Sequence, residues 1–118
     1  MKSFIAEHPS KLLITLKCEI KDLMGFVEGI YLLQPNKING KSHWMNEDGS
    51  LAIWYDIIDN KGNWNIGDIE NLGSETVAMY SCGDADKPLE KTTWMYFDEV
   101  DIRWHETNGV FIVPIPGI

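Results

Sequence analysis

The five tryptophans of this chain sit at positions 44, 54, 64, 94 and 104, each ten residues or a multiple of ten from the next. Short strands joined by tight turns recur every ~8–12 residues in antiparallel sandwiches and barrels. Turn chemistry falls between the tryptophans, at Glu47-Asp48-Gly49-Ser50 and Asp59-Asn60-Lys61-Gly62, and flanks them at Asn39-Gly40 and Asn108-Gly109. The expected fold is all-β: one compact antiparallel meander of eight or nine short strands, closed as a barrel or folded as a sandwich.

The strands can be placed one by one. Residues 12–20 carry two patterns. Leu12, Leu16, Ile20 and Leu23 fit a helical stripe, with Ser10 as N-cap and Gly25 as C-cap. Leu12, Ile14, Leu16, Cys18 and Ile20 also alternate with Leu13, Thr15, Lys17, Glu19 and Lys21. The period of two, with β-branched residues included, favours a strand. Residues 26–34 form the next, with Gly29 inside it and Pro35 ending it. Strands follow at 41–46, 51–58 and 63–66. A loop from Gly67 to Glu75 leads to 76–81, and a second loop spans 82–91. Residues 92–97, 102–106 and 110–115 complete the set, with Pro114 marking an edge strand or a strand end. Residues 1–11 read as an irregular lead-in to a single domain spanning 1–118. Trp54 with Trp64 and Trp94 with Trp104 are candidate cross-strand pairs. A two-residue loop would put residues ten apart on opposite faces; a three- or five-residue loop, or a bulge, would restore one face.

A chain of 118 residues buries roughly 65% of its extended surface on folding, enough for one core. The net charge is −8, and it is uneven. Residues 1–59 hold six Lys and Arg against eight Asp and Glu; residues 60–118 hold four against ten. Such a field repels phosphate backbones and anionic membranes, so neither nucleic acid nor membrane is an expected partner. No apolar run approaches the ~20 residues a bilayer span needs. Glu7, His8 and Pro9 interrupt what would be a signal sequence, so a cytoplasmic chain is expected, with Cys18 and Cys82 as free thiols. Cys18, alternating with apolar residues, reads as a small buried hydrophobe.

From Gly29 onward a run of landmarks keeps a recognisable order. It begins with Gly29 and Tyr31, Asn39-Gly40, His43-Trp44, Asp48-Gly49 and Leu51 with Trp54-Tyr55. Gly62, Trp64, Ile66 and Gly67 follow, then Ala78, Tyr80 and Ser81, then Trp94, Tyr96, Asp98 and Trp104. From Val27 to Val113 the chain resembles small tryptophan-rich β modules that occur, often as repeats, in large multidomain eukaryotic proteins. No catalytic activity is assigned to those modules, so the resemblance implies a non-catalytic module and carries over no site. Trp54, Tyr55 and Trp64 are also similar in spacing to WWE domains, which bind poly-ADP-ribose or partner proteins using a helix and basic contacts. Neither is evident here.

The candidate chemistry is sparse. His8, His43 and His105 show no metal-ligand spacing, and no metal or cofactor is expected. Asp59 to Glu70 faintly echoes a calcium loop, but Lys61 occupies a ligand position and Trp64 the place of the turn glycine. The carboxylates of Asp84, Asp86 and Glu90 would serve a small enzyme only if a cleft perturbed them. The aromatics remain. Trp54, Trp64 and Trp94 are expected to build the core. Trp44 and Trp104 have polar neighbours on short hairpins and are expected to be partly exposed. With His43, Tyr96 and His105 they form the candidate binding set. An exposed indole flanked by carboxylates suits a protein hot spot, with a basic partner, or stacking on a sugar ring.

Overall fold

Leu12, Ile14 and Leu16 are buried and alternate with more exposed neighbours, and this period of two makes the first strand, β1 (Lys11–Leu16). In the computed structural model, which describes residues 9–58, 60–82, 88 and 93–115, the period then changes. A helix, α1 (Cys18–Met24), follows at once and runs into a 3-10 turn over Gly25–Val27. The strand expected over 12–20 therefore stops at Leu16. Ile20 and Met24, four apart on one helix face, are buried in the core together with Val27. The helical stripe prevails here because the chain must turn back toward the next strand. The Glu28 carboxylate closes that excursion by accepting the Leu16 amide at 2.8 Å. Cys18 consequently opens the helix as an exposed free thiol and not as a buried hydrophobe.

The remaining strands are β2 (Gly29–Ile38), β3 (Lys41–Asn46), β4 (Leu51–Ile58), β5 (Lys61–Asp68), β6 (Met79–Cys82), β7 (Thr93–Asp98), β8 (Arg103–Thr107) and β9 (Val110–Pro114). All pairings are antiparallel, and the order across the sheet is β8-β7-β6-β5-β4-β3-β2-β1-β9. The all-β meander is thus one curled nine-stranded sheet. Asn39 and Gly40 take φ of 53° and 84° between β2 and β3, the pair of positive values that a type I′ hairpin turn requires. Pro35 does not end β2. It sits in a register shift between Leu33 and Lys37, where the ladder asks for no donor from it. Pro114 does lie on an edge strand, as expected.

The curl follows from the connections. β8 and β9 are the two edges, yet only Asn108 and Gly109 separate them in the chain. Three Cα steps span no more than ~11 Å, so the sheet must bend until its edges meet at that corner. The Lys17 amide donates to the Gly109 carbonyl there, at 2.9 Å.

The face inside the curl holds the core. Trp64 lies against Trp44 and Tyr55, with ring centroids 6.1 and 5.3 Å away. Tyr31, Ile53, Ile66, Met79 and Trp94 surround them, and α1 contributes Ile20 and Met24. The Trp44 indole donates to the Pro9 carbonyl (2.9 Å), and the Leu33 amide to that of Ser10 (2.9 Å). The Tyr31 hydroxyl donates to the Val27 carbonyl at 2.9 Å. Burial first, and the Asp48 charge second, push its pKa far above the ordinary tyrosine value.

Neither candidate tryptophan pair forms. The register sets Tyr55 opposite Trp64 and Trp54 opposite Asn65; it sets Phe97 opposite Trp104 and Trp94 opposite Thr107. Both hairpins have an even number of loop residues, two after Ile58 and four after Asp98, so positions ten apart face opposite ways. Trp54 is nonetheless fully buried. It lies on the outer face, beneath the 69–78 connection, and its indole is 3.3 Å from the Ser74 carbonyl. Gly67 lets that connection close down: a Cβ there would stand 3.1 Å from Cη2 of Trp54 and 3.2 Å from Cα of Val77. Gly67→Ala is expected to lower stability by ~1–3 kcal/mol through overpacking. Chemical denaturation checks it, and a variant as stable as the parent would contradict this account of the covering loop.

Candidate functional site

The five sequence candidates do not assemble into one site. Trp44 and His43 are both buried, each 2% exposed, which corrects the expected exposure of Trp44. β3 is paired on both sides, and residues 9–10 run past it, so no edge is left for a surface platform. His43 Nδ1 lies 3.2 Å from the Asn36 carbonyl. Desolvation lowers its pKa below the ordinary histidine value, and the Asn36 contact offsets part of that shift.

The other three lie on the β7–β8 hairpin but face two ways. Tyr96 and His105 pair across the strands and stack, with ring centroids 5.5 Å apart and planes at 26°. They share a sheet face with Trp94. At the foot of the same face His105 Nε2 is 2.7 Å from Asp101 Oδ2 and 3.8 Å from Asp98 Oδ2. Asp98 turns its other oxygen to the Val100 amide, 2.8 Å away. Arg103 Nε stands 3.9 Å from Asp101 Oδ2. Sequence reading missed this trio because Asp98, Asp101 and His105 become neighbours only when the hairpin closes.

Trp104 points to the outer face and is 39% exposed. Tyr80 and Phe97 hold it edge-to-face, with centroids 5.0 and 5.4 Å away. A cavity of about 540 Å³ opens beside it, walled by Leu23 and Phe26 from the helical segment, Val77, Phe97 and Val100, with Glu75 and Glu99 at its margin. A smaller one of about 260 Å³ lies on its other flank, bounded by Asn63, Asn65 and Tyr80, and the two share Glu75 and Val77. Asn65 is buried, and its Nδ2 has no hydrogen-bond partner among the described residues.

The apolar residues around Trp104 are unusual in where they stand. Among the described residues eight large hydrophobic side chains are exposed; Leu23, Phe26, Val100 and Trp104 wall this cavity, and Ile102 lies on the same hairpin turn as Val100. Val100 is 85% and Ile102 73% exposed. Ile102 also takes φ 57°, a left-handed backbone that is a genuine outlier for a β-branched residue. Leu23 belonged to the helical stripe that the strand reading of 12–20 set aside. Val100 was not singled out in the sequence, and Ile102 was expected to begin the strand 102–106, whereas β8 begins at Arg103.

Asp84, Asp86 and Glu90, the carboxylates considered for an enzyme, lie outside the described residues, as does Asp59. The calcium-loop echo dissolves, since 61–68 is strand β5. Among the described residues no helix is long and apolar enough to cross a membrane. Comparison of the chain with protein-family models, curated proteins and solved structures gave no match.

Proposed function

We propose that this protein is a non-catalytic interaction module that docks a protein partner in the cavity beside Trp104. The observation that carries this reading is Ile102. An L-residue in the left-handed helical region costs roughly 1–2 kcal/mol, and a large aliphatic group left in water adds no folding energy. A residue that is both strained and exposed is doing something other than stabilising the fold. Val100 and Trp104 lie two positions to either side of it in the chain, and an exposed indole in an apolar hollow is the usual form of a binding hot spot. The partner would present apolar side chains flanked by Lys or Arg, complementing Glu75 and Glu99. The resemblance to non-catalytic tryptophan-rich modules points the same way. A reducing, cytoplasmic setting, in which Cys18 stays a thiol, belongs to this reading.

The second reading, a sugar-binding face, has one observation of its own. The unpartnered amide of Asn65 belongs to the smaller cavity, together with Asn63, Tyr80 and Trp104. Amides beside an aromatic ring suit hydroxyl recognition and stacking.

Ile102→Asn separates binding from folding, because asparagine tolerates the left-handed region. The variant is expected to gain ~1 kcal/mol of stability, a rise of a few degrees in Tm, and to lose the proteins that the parent captures. Quantitative capture with both chains, beside a glycan array, checks this. Retention of the same proteins by Ile102→Asn would end the protein reading. Glycan binding that vanishes in Asn65→Ala but survives Ile102→Asn would replace it with the second.

A further inference from the structure

We propose that Asp98, Asp101 and His105 form a site for one divalent transition-metal ion at the root of the β7–β8 turn. One ligand atom from each lies within 4.8 Å of the others. Two donors at ~2.0–2.2 Å from a common ion are about 2.8–3.6 Å apart in octahedral (cis) or tetrahedral geometry. The observed separations from His105 Nε2, 2.7 Å to Asp101 and 3.8 Å to Asp98, bracket that range. Side-chain shifts well under an ångström would bring both into it, and the two carboxylate oxygens, within 4.8 Å of each other, would close by about one ångström.

Three features distinguish this trio from solvated surface carboxylates. Asp98 is only 17% exposed at its side chain. It is held by the Val100 amide at one oxygen, which leaves the other directed at His105. The imidazole plane is fixed by stacking on Tyr96, so the orientation of Nε2 is set before any ion arrives; fixing a ligand's orientation in advance is what outer partners do in metal sites. The charge is also unbalanced. The two carboxylates sum to −2, and among the described residues Arg103, which faces them, is 72% exposed and reaches Asp101 only at 3.9 Å. A divalent ion would neutralise the pair.

The donor set indicates the class of ion. One imidazole nitrogen and two carboxylate oxygens suit Zn²⁺, Ni²⁺, Co²⁺ or Mn²⁺. Ca²⁺ prefers about six to eight oxygens and would find two carboxylates here. Three protein ligands leave the remaining positions to water. The ion would tie the strand end at Asp98 to the turn at Asp101 and to the facing strand at His105. It would thereby brace the segment that carries Val100 and Ile102.

Zinc titration of the full chain tests the site, in a Cys18→Ser background because that exposed thiol would compete. Calorimetry is expected to show one saturable equivalent with Kd tighter than about 100 μM. Amide NMR shifts should cluster at residues 96–106. Asp98→Asn, which keeps the acceptor for the Val100 amide, and His105→Gln should each weaken binding at least ~10-fold. Cobalt should give weak visible bands without thiolate charge transfer. The proposal falls if binding does not saturate by about 1 mM, if the shifts map to other residues, or if both variants bind zinc like the parent. Each result is independent of whether a partner docks beside Trp104.

Discussion

Trp64→Ala is expected to remove about 3–5 kcal/mol of folding stability. Domains of this kind have only about 5–15 kcal/mol in total, so the variant should sit near the edge of folding and melt well over ten degrees below the parent, at ~3–6 °C per kcal/mol. The argument is local. Trp64 is 2% exposed and lies between Trp44 and Tyr55. Each such aromatic pair adds roughly 0.5–1.5 kcal/mol beyond the area it buries. Truncation would leave a cavity that strands paired on both sides of β5 cannot collapse to fill. The backbone of Trp64 is also pinned, since its amide donates to the buried Ser81 hydroxyl at 2.8 Å. Equilibrium denaturation measures the loss. A cost below ~1.5 kcal/mol would mean that the indole cluster is not the centre of the core.

That cluster also explains how far the sequence could be read. The all-β meander was legible because its turns were: Asn39-Gly40 admits little else, and the strands at 41–46 and 51–58 have the bounds the flanking turns implied. The tenfold spacing of the tryptophans marked the hairpins but not the faces. Facing depends on whether a loop is odd or even, and Asp98 to Arg103 could have closed either way. Trp54 shows the consequence. It falls on the outer face, and a loop without strand character buries it there. Residues 12–20 failed for another reason. Both periodicities were real, and the strand used one up to Leu16 before the helix used the other from Ile20. The choice between them is made by the need to return to β2, which no local window contains.

The candidate site was less legible still. Trp44 and His43 look exposed in sequence because polar residues flank them, yet β3 ends up central to the sheet. Trp104 was identified, but its surroundings were not. Leu23 and Phe26 come from a helical segment some eighty positions away, and Val77 from the loop over Trp54. Long-range packing brings them to one hollow. Its local part, Val100 and Ile102 on the β7–β8 turn, carries most of the functional weight, but placing Ile102 in a strand over 102–106 hid it.

Trp104→Ala should then separate the surface from the core. The indole is 39% exposed and packs edge-on against Tyr80 and Phe97. Its loss is expected to cost the fold ~1–2 kcal/mol, well short of the cost at Trp64. Binding should suffer more. A hot-spot indole is worth at least ~2 kcal/mol, so partner affinity should fall about 30-fold or further, mainly through faster dissociation. Trp104→Phe should recover part of it, because an aromatic ring still fills the hollow while the larger indole surface is gone. Val100→Asp should match the loss with the indole intact, by placing a charge beside Glu99 and in the path of an apolar partner. Surface-based kinetics on the three variants, with melting curves alongside, would show this order. If affinity instead tracks stability across them, the hollow is a packing defect at the end of the sheet and the partner binds elsewhere.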